Sequence, residues 1–261
     1  MPSTELLYSV SSVTIAVVLF VAIVVFNELG FRAGRFVQAN TDDEVKAMTG
    51  SIQGSILGLL ALLLGFTFSM SMQRFDARSM AVIDEANAIG TTMLRVKLLP
   101  DEYRQQASDL LHQYVVLRAE VGVIDLTHEA ERAAYNERSV AVQNQLWDIV
   151  TKATDADPRP VTTGAFLNSL NDMIDAQGKR NAILQQHVPE TILLLLFFVF
   201  VVNGAMMGYS SGLSGKRMTV PIVLVSLLIT LIVFTIIDLD RPKRGLIQVD
   251  QSVMQSLESA T

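Results

Sequence analysis

No cysteine occurs in the 261 residues, so disulfides, thiolate metal sites and cysteine nucleophiles are excluded. That absence is silent about compartment, because reducing and oxidising locations both tolerate it. Basic blocks are missing as well. The net charge is -6 and the pI is about 5.1, which argues against nucleic acid as a partner. Of the three histidines (His112, His128 and His187) no two are spaced four apart, and there is no H-E-x-x-H. No nucleophile motif, phosphate loop or dinucleotide fingerprint is present. Catalysis therefore has no constellation to rest on; no enzyme, cofactor or metal is expected. His128, Glu129 and Glu131 could attract a metal, but a solvated helix start is the simpler reading.

The most telling absence is charge. Leu6 to Asn27 is 22 residues without a charged side chain, and Ala47 to Gln73 is 27. Thr191 to Gly215 is 25, and Met218 to Ile237 is 20. A helix needs about 20 apolar residues to cross a bilayer, and all four stretches qualify. No Lys or Arg precedes the first of them, and its apolar run exceeds a signal core, so it reads as a retained helix. Charge is also missing at membrane depth, which speaks against a proton-coupled transporter.

The expected architecture is an all-α membrane protein with four transmembrane helices in two pairs and a helical bundle inserted between spans 2 and 3. Residues 1–72 hold the first pair, with spans of roughly Tyr8 to Phe26 and Ile52 to Met72. Between them, a short polar loop is expected after Asn27 and Glu28. Residues 73–188 form the bundle, 189–239 the second pair (roughly Pro189 to Met207 and Val220 to Ile237), and 240–261 a tail. Gly208, Gly212 and Gly215 predict a tight turn between spans three and four.

Bundle hydrophobics recur at three and four residues, the helical spacing. One stripe is Phe75, Val82, Ala86, Ile89, Met93 and Val96; a second runs from Tyr103 to Ile124. A third runs from Tyr135 to Ala153 and a fourth from Phe166 to Val188, with Pro100 and the Asp155 to Pro160 segment as breaks. With no glycine or proline between Gly65 and Ile89, span two should continue directly into the bundle. Pro189 could start a helix or kink one that is continuous into span three. If the two long helices run side by side, Asp84 and Glu85 can pair with Lys179 and Arg180.

Span two carries the sharpest pattern. Gly50, Gly54, Ala61 and Gly65 form a small-residue face suited to close helix packing, within the chain or between subunits. An adjacent face reads Ser51, Ser55, Gly58, Leu62, Phe66, Ser69, Gln73. It is polar at both ends and apolar between, the order of a pore with a dewetting gate. Hydroxyls that merely cap backbone or meet headgroups give the bland alternative.

The segment Leu64 to Arg78 (LGFTFSMSMQRFDAR) resembles the bestrophins. The continuation Asp84 to Gly90 (DEANAIG) and the stretch Leu239 to Val249 (LDRPKRGLIQV) are more similar to the bacterial bestrophin-like domain proteins. The resemblance implies a homo-oligomeric ion channel, pentameric in bestrophins, whose second span lines the pore. Bestrophin necks carry three apolar side chains at four-residue spacing. The matching positions are Phe66, Leu62 and Gly58, and glycine departs from the pattern. Arg74 and Arg78 would then sit at the bundle-side mouth, with Asp76 between them. The calcium-binding acidic cluster of animal bestrophins is not matched, since Asp238 and Asp240 are sparse and lie beside Arg241, Lys243 and Arg244.

The expected partners are therefore the lipid bilayer, further copies of the chain and permeant ions. Near the membrane the bundle side carries seven basic residues: Arg74, Arg78, Lys179, Arg180, Arg241, Lys243 and Arg244. The other side carries five: Arg32, Arg35, Lys46, Lys216 and Arg217. The positive-inside count leans to a multi-pass inner (plasma) membrane protein with a cytoplasmic bundle. The basic residues that follow the first span alone lean the other way, and the bestrophin resemblance supports the cytoplasmic bundle. A non-conducting sensor or scaffold, its bundle binding a partner, is the alternative.

Overall fold

The structure, a computed structural model, describes residues 10–124, 128–241 and 245–260. Leu6, Tyr8, Lys243 and Arg244, used above, lie outside the described residues. Among the described residues the chain is all helical, with no strand. The helices are α1 (Ser12–Val37), α2 (Asp43–Arg95), α3 (Asp101–Val123), α4 (Glu129–Ala156), α5 (Thr163–Leu184), α6 (Glu190–Leu213), α7 (Thr219–Leu239) and α8 (Ser252–Ala260). Of these, α1, α2, α6 and α7 include segments long and apolar enough to cross a membrane. The chain divides into two compact units. One comprises residues 1–73 and 187–240; the other comprises 74–186 and 241–261.

As the uninterrupted sequence predicts, α2 is one helix of 53 residues, about 80 Å long. The corresponding question at Pro189 is settled by a break: α5 stops at Leu184 and α6 starts at Glu190. Proline cannot donate a backbone hydrogen bond and disfavours helix at the residue before it. The Val188 N–H instead donates to Asp240 Oδ2 at 2.9 Å.

Two loops expected from the sequence are shorter than predicted. Helix α1 does not close at Asn27 and Glu28 but continues to Val37, and Glu28 pairs with Arg32 one turn on, at 2.9 Å. Helix α6 runs through Leu213, so Gly208 and Gly212 are helical rather than in a turn. Only Gly215 takes a left-handed conformation, φ +71°, which favours glycine.

These extensions expose a packing device in the membrane unit. α1 and α6 run parallel with backbones in contact. A Cβ on Gly30 would land on the Ala205 carbonyl, and one on Gly34 on the Tyr209 carbonyl. From the other helix, a Cβ on Gly208 would strike the Asn27 carbonyl and one on Gly212 the Phe31 carbonyl. Such close approach is how small residues hold helices together in lipid. Asn27 Nδ2 adds a hydrogen bond to the Gly204 carbonyl at 3.1 Å. Beyond the seam, Arg217 stacks 4.6 Å over the Phe31 ring and reaches Glu28 at 3.1 Å, while Arg35 donates to the Gly215 carbonyl. The unit's apolar core joins Leu19 and Ile23 of α1, Leu60 of α2, Phe200 of α6 and Val233 of α7.

Most of the predicted stripe residues face one core; Val188, at the end of the fourth stripe, instead packs with Leu193 and Ile236 in the membrane unit. Ile89, Tyr114, Leu146 and Phe166, one from each stripe, are fully buried together. Within this core lies an ionic centre. Glu85 is buried between two equally buried arginines: Arg118 Nε donates to Oε1 at 2.6 Å and Arg180 Nη1 donates to Oε2. Burial pushes the Glu85 carboxyl up, but the two guanidiniums outweigh it and hold the group below the ordinary carboxylate value. Arg118 Nη1 also donates to Asn136 Oδ1 at 3.3 Å. The neighbouring Tyr114 hydroxyl donates to Gln177 Oε1 at 3.3 Å, and burial pushes it above its usual titration range. Asp84 takes the second expected partner, with Lys179 Nζ at 2.9 Å.

The tail is part of this unit. Gln251 Oε1 accepts from Arg180 Nη2 at 2.9 Å, and its side chain lies against Gly122, where a Cβ would approach it to 3.0 Å. Asp250 caps the start of α8 by accepting from the Ser252 N–H at 2.9 Å. Met254 is fully buried in the core. Met254→Ala should therefore cost about 2–5 kcal/mol, the range for emptying a buried methionine site. Chemical denaturation followed by circular dichroism would read the loss; an unchanged midpoint would show that α8 docks without stabilising.

Candidate functional site

Helix α2 is packed along one line and bare elsewhere. Its inward line through the membrane unit is Thr49, Leu60, Thr67 and Ser71, all buried, spaced as helix turns require. Thr49 and Thr67 donate their hydroxyls to the Val45 and Leu63 carbonyls, so they bury little unsatisfied polarity. The expected pore face and the small-residue face both lie off that line.

All seven residues of the expected pore face (Ser51, Ser55, Gly58, Leu62, Phe66, Ser69 and Gln73) are exposed in the single chain. Leu62 is 54% and Phe66 63% accessible, large values for apolar side chains on a membrane helix. The polar members are locally bonded. Ser51 Oγ donates to the Ala47 carbonyl at 3.2 Å, Ser55 Oγ to the Ser51 carbonyl at 3.1 Å, and Gln73 Nε2 to Ser69 Oγ at 3.2 Å. With their hydrogens turned to the helix, Ser51 and Ser55 present oxygen lone pairs outward.

The small-residue face is equally bare. A Cβ added to Gly50, Gly54, Gly58 or Gly65 would meet nothing within 4 Å, and Ala61 is exposed. Within one chain the face packs against no neighbour, whereas the glycines of α1 and α6 do. That second set was legible as G-x3-G spacing at Gly30 and Gly34 and at Gly204, Gly208 and Gly212.

The two arginines expected at the mouth differ. Arg74 is half-buried, with its Nε shut off from solvent. Arg78 is 1% accessible, and its Nη2 donates to the Gln186 carbonyl at 2.6 Å. Asp76, between them, is exposed. Elsewhere His128 Nδ1 lies 3.2 Å from Glu131 on an exposed helix start, and His112 Nδ1 lies 2.6 Å from the Ser108 carbonyl. Among the described residues, no three ligand-type side chains gather as a metal site.

Comparison with known proteins agrees with this architecture. The sequence matches the Bestrophin-like domain over residues 13–254. The fold is similar to that of a point variant of a bacterial Bestrophin homolog from Klebsiella pneumoniae, with a TM-score of 0.65 and 16% identity, covering 93% of this chain and 96% of that one. A second variant of that homolog gives a TM-score of 0.65 at 13% identity, covering 94% and 96%. A structure described as a membrane protein variant gives 0.64 at 15%, covering 94% and 96%. Among curated proteins, none matches the sequence.

Proposed function

The chain belongs to the Bestrophin-like family, and from that premise we propose that it is an oligomeric ion channel whose pore is lined by α2. Copies gather about an axis, five by likeness to bestrophins, with the stripe from Ser51 to Gln73 facing water. The observation that carries this reading is the bareness of α2: an apolar stripe, a glycine face and no intrachain cover for either. Exposed Ile52 and Leu59 lie on the flank across the stripe from the glycines. Side chains on one flank and hollows on the other suit a head-to-tail ring, in which each copy offers different surfaces to its two neighbours.

In this arrangement Leu62 and Phe66 form the gate, because an apolar constriction expels water and stops ions. The polar residues at either end keep the approaches wet. Arg74 stands beside the bundle-side mouth. The chain sits in the inner membrane with its bundle cytoplasmic, as the basic-residue balance favours.

Purified protein reconstituted in liposomes should pass small ions, and Phe66→Ala should raise the flux severalfold by widening and wetting the constriction. A single cysteine at Leu62, introduced into the cysteine-free chain, should crosslink copies. A particle that is silent to alkali cations and halides across voltage sinks the proposal. If a partner protein co-purifies with it, the bundle is better read as a scaffold.

A further inference from the structure

The charges along α2 carry the pore reading one step further, to the class of ion. Asp76 follows Gln73 by three residues, so it continues the wet stripe past the apolar constriction. It is exposed, and among the described residues it forms no ion pair. At the other end, Glu44 precedes Ser51 by seven residues, two helical turns, on the same side. It too is exposed and unpaired among the described residues. Between these carboxylates the stripe offers the outward lone pairs of Ser51 and Ser55, the apolar Leu62 and Phe66, then Ser69 and Gln73.

The nearby cations are turned elsewhere. Arg74 and Arg78 each lie two residues from Asp76, about 200° around the helix and therefore on its far side. Arg78 is buried on the Gln186 carbonyl. Lys46 lies two residues past Glu44 and pairs with Asp43 at 2.9 Å. Further along the stripe, Asp84 is neutralised by Lys179. What remains facing the stripe is a carboxylate at each end and acceptor oxygens between.

Resting on the pore reading above, we propose that the channel is cation-selective, with Asp76 and Glu44 as its selectivity-determining residues. Repetition around an axis turns each carboxylate into a ring. Rings of Asp or Glu concentrate cations and repel anions, and apolar walls focus their field. A passing cation also finds hydroxyl oxygens already stripped of competing donors, whereas an anion finds no outward-facing donor at Ser51 or Ser55.

The test is the reversal potential of reconstituted protein under a KCl gradient. The wild type should reverse on the potassium side. Asp76→Asn should lower the potassium-to-chloride permeability ratio by about tenfold, and Glu44→Gln should act in the same direction. Both side chains are exposed and unpaired, so the variants should keep the wild-type chromatographic profile. That profile is the control for folding. A wild type that reverses on the chloride side overturns the inference while leaving the channel standing. So does a folded Asp76→Asn, Glu44→Gln double variant with an unchanged ratio. Silence to every ion instead sinks the pore reading itself and takes this inference with it.

Discussion

Glu85→Gln should destabilise the bundle by about 3–5 kcal/mol, the cost of stripping a buried charge network of one partner. The reason is local arithmetic of charge. One buried carboxylate serves two buried guanidiniums, Arg118 and Arg180. An amide of the same shape leaves both cations uncompensated and turns its own NH2 toward a donor. Against a total stability of about 5–15 kcal/mol, that loss is large. Denaturant titration in detergent would measure it. The contrasting variant replaces all three by apolar residues, which should recover much of the loss, because a buried ion pair offsets a desolvation cost that the apolar set never incurs. A Glu85→Gln protein as stable as wild type would show that the centre is solvated in solution. Acid should act in the same direction. The folded Glu85 carboxyl titrates below its unfolded value, so its contribution is complete above about pH 5 and fades as the pH falls through the folded value.

The second large effect is expected in the membrane unit. Gly208→Ala drives a methyl group into the Asn27 backbone carbonyl, and backbone cannot rotate aside as a side chain can. α1 and α6 must part, at a cost of about 3 kcal/mol. The thermal midpoint of detergent-solubilised protein should drop accordingly. Gly54→Leu provides the opposite pattern. Its side chain meets open space within one chain, so the protomer should fold normally, yet in the proposed ring it would occupy the hollow assigned to a neighbouring copy. Size-exclusion with light scattering should then find folded but dissociated protein. If Gly54→Leu assembles like wild type, the glycine face of α2 is not a subunit contact.

The sequence readily yielded what periodicity and hydrophobicity control. Four charge-free stretches predicted four apolar helices, and spacings of three and four predicted which bundle residues would be buried. The pairing of Asp84 and Glu85 with Lys179 and Arg180 followed from equal distance to the membrane along two helices. Arg118 did not, because nothing local marks a residue on a different helix as the second ligand of a buried carboxylate. Polar patterning misplaced the helix ends. Arg32 and Arg35 look like loop residues, but a helix leaving the bilayer can carry charge on its exposed turns, as the Glu28–Arg32 pair does. Gly208 and Gly212 suggest a turn in the sequence because glycine serves both turns and helix contacts, and their spacing against Gly30 and Gly34 is the signal that distinguishes the two. The inward orientation of Arg78 needed three-dimensional context, since helical phase alone does not say which side of α2 faces its own chain.

The position of the tail bears on how the protein is made. Gln251 and Met254 belong to the same core as Glu85 and Ile89, although some 165 residues of chain separate them. A ribosome delivers α8 after α1 to α7, so the bundle waits, Arg180 lacking its amide partner and the core lacking a methionine, until that segment emerges. A nascent chain stalled before residue 249 would therefore display an open bundle core to chaperones and proteases.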